Sequence, residues 1–377
     1  MNINLSAKTC IGCGACADRC PVNAVSIQCD VDGFYKPFIS ESCVDCGQCV
    51  NVCPAINAKT HTITPQFYYG WIMDSVTREK SSSGGVFSAL ASYILNLGGV
   101  IFGATYSDDF KMVEMSSSEE AGMEALRVSK YCQAFSNGMY NKIAEYLKNG
   151  RRVMVVGTPC QMAAVRLRFG NNPELLLVDF LCGGAAPVTA FADYVAYLEK
   201  IYNSQIKTMN MRDKSSGWHK PRIRIEFENG KIYSRRYQFD YYFHYFYGSN
   251  IKCEACLKCQ FTNHADSDIT IGDFWGYKDA GIKNDGKGMS FIAVNTACGQ
   301  EAFSNVEGTM QVYPLDARHA QYAYREKKQS KETLSKRIEF MNDMRETSFV
   351  TAARKHDFKY GNLGVLIKIL IRKVVRK

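Results

Sequence analysis

The chain has 377 residues, 46% of them hydrophobic, with a formal net charge of +9, which allows two or three domains and a sizeable core. No run approaches the ~18 uninterrupted apolar residues of a membrane span, and the opening MNINLSAKTC has no apolar stretch of the kind a secretory signal carries. Part of the positive charge is gathered at Lys368, Arg372, Lys373, Arg376 and Lys377, so the distributed basic-aromatic groove of a nucleic-acid binder is missing.

In chain order, Cys10, Cys13, Cys16 and Cys20 with Pro21 spell C-x2-C-x2-C-x3-C-P, and Cys43, Cys46, Cys49 and Cys53 with Pro54 repeat it. This is the spacing of a bacterial two-cluster ferredoxin, in which three close thiolates bind one [4Fe-4S] cube and the fourth crosses to the other. Cys10, Cys13, Cys16 and Cys53 are therefore expected to hold one cluster, and Cys43, Cys46, Cys49 and Cys20 the other. Zinc sites use pairs of CxxC instead, and thiolate clusters point to a reducing, cytoplasmic setting. Between the halves, AVSIQCDVDGFYKPFI reads as two short strands around Asp32-Gly33.

Residues 59–66 read as a linker, and FYYGWI from Phe67 as the first strand of a second domain. Ser81 to Gly85 followed by VFSALASYILNL reads as a helix with a serine-rich start. Two strands, VIFGATYS and KMVEMS, follow. The segment SNGMYNKIAEYLKNG is an amphipathic helix. VMVVG (153–157) and LLLVDFLC (175–182) are buried strands, the first leading through Thr158-Pro159-Cys160 into a helix. Strand, turn and helix in this order predict an α/β sheet with its chemistry at the strand ends. RIRIEFENGKIYSRRY is a hairpin around Asn229-Gly230, and the chain from about 315 reads as helical and charged.

Cys253, Cys256 and Cys259 form a third C-x2-C-x2-C group that lacks a fourth ligand. Cys160 and Cys182, each at a strand end, are the first donors to consider and Cys132 the next. A third [4Fe-4S] cluster, a zinc ion and plain buried thiols all fit this spacing. Cys160 at a helix start also fits a reactive thiol. Ser81 to Gly85 fits a phosphate cradle or an ordinary helix start. YQFDYYFHYFYG (237–248) fits core packing or a stacking platform. Residues 365–377, basic on one helical face, fit a packed helix or peripheral contact with the inner face of an anionic membrane.

Taken together, SSGGVFSAL, SKYCQA, VVGTPCQ, VDFLCGG, MRDKSSGW, CLKCQF, SDITIGDFWG and GKGMSF make residues 68–300 resemble the family of beta subunits of deazaflavin-coenzyme-reducing hydrogenases and dehydrogenases. With its ferredoxin, the chain resembles a bacterial branch often found near polysaccharide-assembly enzymes. The resemblance implies FAD with an iron-sulfur cluster beside it. By motif, Ser83, Gly84, Gly85, Val86, Gly157 and Thr158 would approach the flavin, and Lys130 would stabilise its reduced anion. Asp273, with Lys130, would be catalytic, and Arg212, Lys214 and Trp218 are further candidates. Cys160, Cys182, Cys256 and Cys259 match the family's cysteines, and Cys253 matches less well. Cys182-Gly183-Gly184-Ala185-Ala186-Pro187 replaces the branch's C-H-G-x-P and lacks its histidine, and Cys132 stands where a small apolar residue is usual.

The expected fold is α+β: a two-[4Fe-4S] ferredoxin domain (1–58), an α/β flavin/iron-sulfur domain (67–314) and a helical tail (315–377) with a basic end. The expected function is an iron-sulfur flavoprotein oxidoreductase acting on a small organic or sugar-linked substrate, with a redox donor or acceptor protein as partner. The alternative is an electron-relay subunit of a larger redox complex, with no substrate of its own.

Overall fold

A computed structural model describes residue 3 and residues 9–57, 64–136, 138–262, 266–324 and 330–356. The 365–377 expectation lies outside them. Among the described residues no helix is long and apolar enough to cross a membrane.

The N-terminal unit is a short antiparallel hairpin, β1 (Val25–Cys29) and β2 (Tyr35–Ile39), flanked by single-turn helices at Ala15–Asp18, Gln48–Asn51 and Pro54–Asn57. Its two halves start their helices alike. Gly14 and Gly47 precede Ala15 and Gln48 with φ of 78° and 74°, a backbone region that costs glycine nothing.

The second unit is built on a nine-stranded sheet. Its members are β3 (Gln66–Ile72), β4 (Val100–Tyr106), β5 (Val113–Ser117), β6 (Ala134–Phe135), β7 (Val153–Gly157) and β8 (Leu175–Phe180). After a separate three-stranded sheet, formed by β9 (Ile206–Asp213), β10 (Arg222–Phe227) and β11 (Ile232–Arg236), come β12 (Ile269–Asp273), β13 (Ser290–Val294) and β14 (Met310–Pro314). The order is β14-β3-β13-β12-β8-β7-β4-β5-β6. The central β12-β8-β7-β4 block is parallel, and antiparallel strands border it on both sides.

Period-two alternation explains how this sheet is covered. Val153, Val155, Leu175 and Leu177 face one layer, formed by helices Met139–Lys148 and Pro159–Phe169. Met154, Leu176 and Val178 face the other, formed by Val86–Asn96 and Ala297–Glu307. Ala15 and Val52 of the N-terminal unit join the first layer's core, so the two units share apolar packing.

Several features differ from the sequence expectation. LLLVDFLC ends as a strand at Phe180, leaving Cys182 in the following loop. The helix Val188–Tyr202 and the strand β9 are additions to it, and β9 completes a three-stranded sheet beside the expected hairpin. The aromatic run folds as the helix Tyr241–Tyr247, with Tyr242, Phe243, Tyr245 and Phe246 buried. It packs in one core with Phe340, Met341 and Phe349 from the helices Lys331–Glu346 and Phe349–Lys355. The described part of the C-terminal segment is thus wedged into the body of the protein, and the core-packing account of the aromatics holds.

Candidate functional site

Two thiol-lined cavities occupy the N-terminal unit. Cys10, Cys13, Cys16 and Cys53 line one of about 330 Å³, together with apolar Ile27 and Pro37. Cys20, Cys43, Cys46 and Cys49 line another of about 280 Å³, with Val22, Val25 and Val44. The first is inward: Cys10, Cys16 and Cys53 are buried, whereas Cys43 is half-buried and Cys46 exposed in the second. Burial pushes the Cys13 thiol up to about 12 and raises Cys10, the latter opposed by Lys36. Such thiols stay neutral until a metal deprotonates them outright. Among the described residues no three His, Cys, Asp or Glu side chains converge on a single ion position. The thiols surround cavities instead, and these donor sets fit two [4Fe-4S] clusters.

A third set assembles where the parallel strands end. β7 and β8 are neighbours, so the residues that follow them emerge side by side at one edge of the sheet. Cys160 is in the first turn of Pro159–Phe169, whose start is closed by a capping box between Thr158 and Gln161. Cys182 follows β8. Burial raises the Cys160 thiol, and nearby Cys182, Cys259 and Cys13 raise it further. Cys256 is raised by its contact with Cys253, by burial, and by Cys182 and Cys160. The structure therefore brings Cys160, Cys182, Cys256 and Cys259 together. Cys253 is turned toward the N-terminal unit: a hydrogen bond from Cys256 and the charges of Lys36 and Arg337 lower its thiol to about 6, and it raises Cys10 in turn. Cys132 lies elsewhere, beside Tyr242 and Cys29, and is not a fourth donor to this set.

The residues expected to approach FAD are engaged by their own chain. The Ser83 hydroxyl donates to the Met289 carbonyl at 2.8 Å, and the Gly84 N–H donates to Ser290 Oγ at 2.9 Å. A Cβ on Gly84 would come within 2.5 Å of the Gly70 carbonyl oxygen, so glycine is required by strand β3 rather than by a ligand. Gly85 (φ 93°) precedes the buried Val86 at the helix start. Gly157 and Thr158 serve the cap: the Thr158 N–H donates to Gln161 Oε1 at 2.9 Å, and its hydroxyl is 3.1 Å from Cys160 Sγ. The Ser129 N–H donates to Ser82 Oγ at 3.3 Å, which joins the SSSGG and SKY segments as their shared motif set implied. Lys130, however, gives its ammonium to the carbonyls of Ala125 (2.7 Å) and Arg127 (2.5 Å), and burial lowers it to about 7. Arranged in this way, these residues do not form a flavin cradle.

Asp273 is equally committed. Its two oxygens accept from Arg212 Nη2 and Trp218 Nε1, both at 2.6 Å. Trp218 stacks on Trp275 with centroids 4.4 Å apart. Lys214 donates to the carbonyls of Arg78, Ser83 and Lys287 and so pins the SSSGG loop. These motif residues hold loops in place around the sheet's edge. Two residues escape sequence reasoning. Arg78 is bidentate to Asp285 and also reaches the Gly288 carbonyl. Tyr140, fully buried, donates its hydroxyl to the Cys13 carbonyl at 3.1 Å. Neither bears a motif, and their partners are more than a hundred positions away.

Comparison with known proteins agrees with this geometry. Residues 9–57 match the 4Fe-4S dicluster domain. Residues 150–317 match the C-terminus of the beta subunit of coenzyme F420 hydrogenase/dehydrogenase. The F subunit of the F(420)H(2) dehydrogenase from Methanosarcina mazei is 24% identical over 326 residues, 80% of this chain and 84% of that protein. A chain of the F420-reducing [NiFe] hydrogenase complex from Methanosarcina barkeri superposes with a TM-score of 0.48 at 17% identity, over 75% of this chain and 93% of the other. The chain thus belongs to the family of coenzyme F420 hydrogenase/dehydrogenase beta subunits and carries an N-terminal 4Fe-4S dicluster domain.

Proposed function

We propose that this protein is the electron-relay subunit of a larger redox complex. The observation that carries the reading is the gradient of exposure across its thiol sets: one cavity opens to solvent at Cys46, and the next is buried against the unit that holds Cys160. Bound in these cavities, [4Fe-4S] clusters would supply one-electron transfer. Cys10, Cys13, Cys16 and Cys53 would hold the inner cluster, and Cys20, Cys43, Cys46 and Cys49 the outer. Cys160, Cys182, Cys256 and Cys259 would hold a third, with Cys253 outside its shell. Apolar Ile27, Pro37, Val22 and Val25 keep water from the thiols, a recognised lever on cluster potential.

Val22 and Val44, both exposed at the outer cavity, give a redox donor or acceptor protein an apolar approach. Membership of a family of beta subunits, with a relative that is itself one component of an F(420)H(2) dehydrogenase, supports such a partner. FAD and an organic or sugar-linked substrate are not part of this reading, because Ser83, Gly84 and Lys130 spend their polar groups on the chain itself.

Anaerobic purification followed by cofactor analysis tests the proposal. The expected content is about twelve iron atoms per chain, four per cube, without flavin, and with no turnover of sugar or nicotinamide substrates unless a partner protein is added. One flavin per chain, with substrate reduction by the isolated protein, would sink the relay reading in favour of an enzyme with its own substrate. Iron near eight would remove only the third cluster.

A further inference from the structure

We infer that Tyr140 is the positioning residue that couples the inner thiol cavity to the Cys160 set. The inference rests on the reading that both sets hold clusters. Tyr140 is on the helix Met139–Lys148 and has no exposed surface. Both of its ends are fixed by the N-terminal unit. Its N–H donates to Asp18 Oδ2 at 3.0 Å, and its hydroxyl donates to the Cys13 carbonyl at 3.1 Å. The ring bridges the two units, because the charges of both Cys13 and Cys160 act on its hydroxyl.

No other side chain among the described residues hydrogen-bonds to the Cys13 carbonyl. Asp18 also stands at the start of the helix that carries Tyr140, whose N-cap is Gly138 without a side-chain cap. The carboxylate therefore supplies from another unit what the helix lacks locally. The N-terminal helices Ala15–Asp18 and Pro54–Asn57 pack on Pro159–Phe169, the helix that presents Cys160. One tyrosine thus sets the distance and orientation of a Cys13 ligand relative to Cys160. A hydrogen bond that withdraws electron density from a ligand residue favours the reduced cluster, one of the protein's levers on potential.

Tyr140→Phe keeps the ring and deletes only the hydroxyl. In full-length protein purified without oxygen, we expect unchanged iron and sulfide and a lower midpoint potential for the inner cluster. The outer cluster should be unaffected, and freeze-quench EPR should show slower appearance of reduced signal at the third site. Full iron with unaltered potential and rate overturns the inference. Should Tyr140→Phe lose iron, Asp18→Ala decides: it frees the tyrosine backbone and leaves the hydroxyl in place, and iron-replete Asp18→Ala protein with wild-type potential and rate overturns the inference as well. Wild-type iron near eight, four per cube, would instead defeat the three-cluster reading, and the potential shift alone would then decide the role of Tyr140.

Discussion

Asp179 shows how a single buried side chain makes the sheet sensitive to pH. It lies in β8, almost wholly buried, with one carboxylate oxygen unpartnered. Burial pushes it up to about 7, against the pull of hydrogen bonds from Thr270 and Ser267. The unfolded carboxyl titrates near ~3.9. Between these values the folded protein keeps a proton that the unfolded chain has released, so stability falls as pH rises from about 4 to about 7 and stays reduced above that. Asp179→Asn removes the penalty. The variant should gain melting temperature over the parent at pH 8 and gain little or nothing at pH 5. Lys130, lowered to about 7 by burial, works in the opposite sense over a higher window, where stability rises as pH passes from about 7 toward its unfolded value of ~10.4. It contributes equally to both proteins and cancels in the comparison. An equal gain at both pH values would show that Asp179 is not protonated on folding.

At the scale of elements, the SSSGG segment shows why a motif can be read correctly and its purpose missed. The serine-glycine start and the apolar run after it predict the helix that forms at Val86–Asn96. What the glycines avoid is a backbone that arrives from elsewhere: the Gly70 carbonyl of β3 and Ser290 of β13, each too close for a Cβ on Gly84. Gly84→Ala should therefore destabilise the protein by about 1–3 kcal/mol, the usual cost of overpacking, measured by denaturant unfolding at constant m-value. A neutral result would return the glycine to a ligand role. The same contrast governs legibility elsewhere. VMVVG is readable because a short apolar run ending at Gly-Thr-Pro has one plausible fate. The cysteine cavities are readable because cluster ligation fixes spacing. The helix Val188–Tyr202 carries Phe191, Tyr194, Val195 and Leu198 at helical intervals, a signal present in the sequence but masked by the cysteine and glycine motifs before it. β9 is harder, since Lys207, Thr208 and Asn210 blur its alternation and its pairing with β10 shifts register twice. The roles of Tyr140 and Asp273 come from partners distant in sequence, and no local pattern encodes them.

For the whole molecule, the question is whether the dicluster unit swings or is fixed. Its contacts with the rest of the chain argue for fixed. Phe34, at the hairpin turn, is buried in the same core as Phe191 and Tyr242. The Val188 N–H donates to the Gly33 carbonyl at 2.9 Å, and Arg345 pairs with Asp32 at 2.6 Å. The exposed ion pair adds little. Gln133 is the stronger tie. It is buried, its Oε1 accepts from the Tyr35 N–H at 2.7 Å, and its Nε2 donates to the Ile11 carbonyl at 3.1 Å, one residue past Cys10. One amide thus satisfies two backbone groups of the cluster-bearing unit. Truncating it strands a buried donor and an acceptor, each worth about 1–3 kcal/mol when left unpaired. Gln133→Ala should separate thermal unfolding into two transitions, the earlier one accompanied by loss of iron-sulfur absorbance, while the parent unfolds in one. Exchange of the Tyr35 amide should accelerate under native conditions, because its only acceptor among the described residues is gone. If the variant still melts once, with iron retained to the end, the apolar seam around Phe34, Ala15 and Val52 suffices to hold the unit, and Gln133 merely fills space.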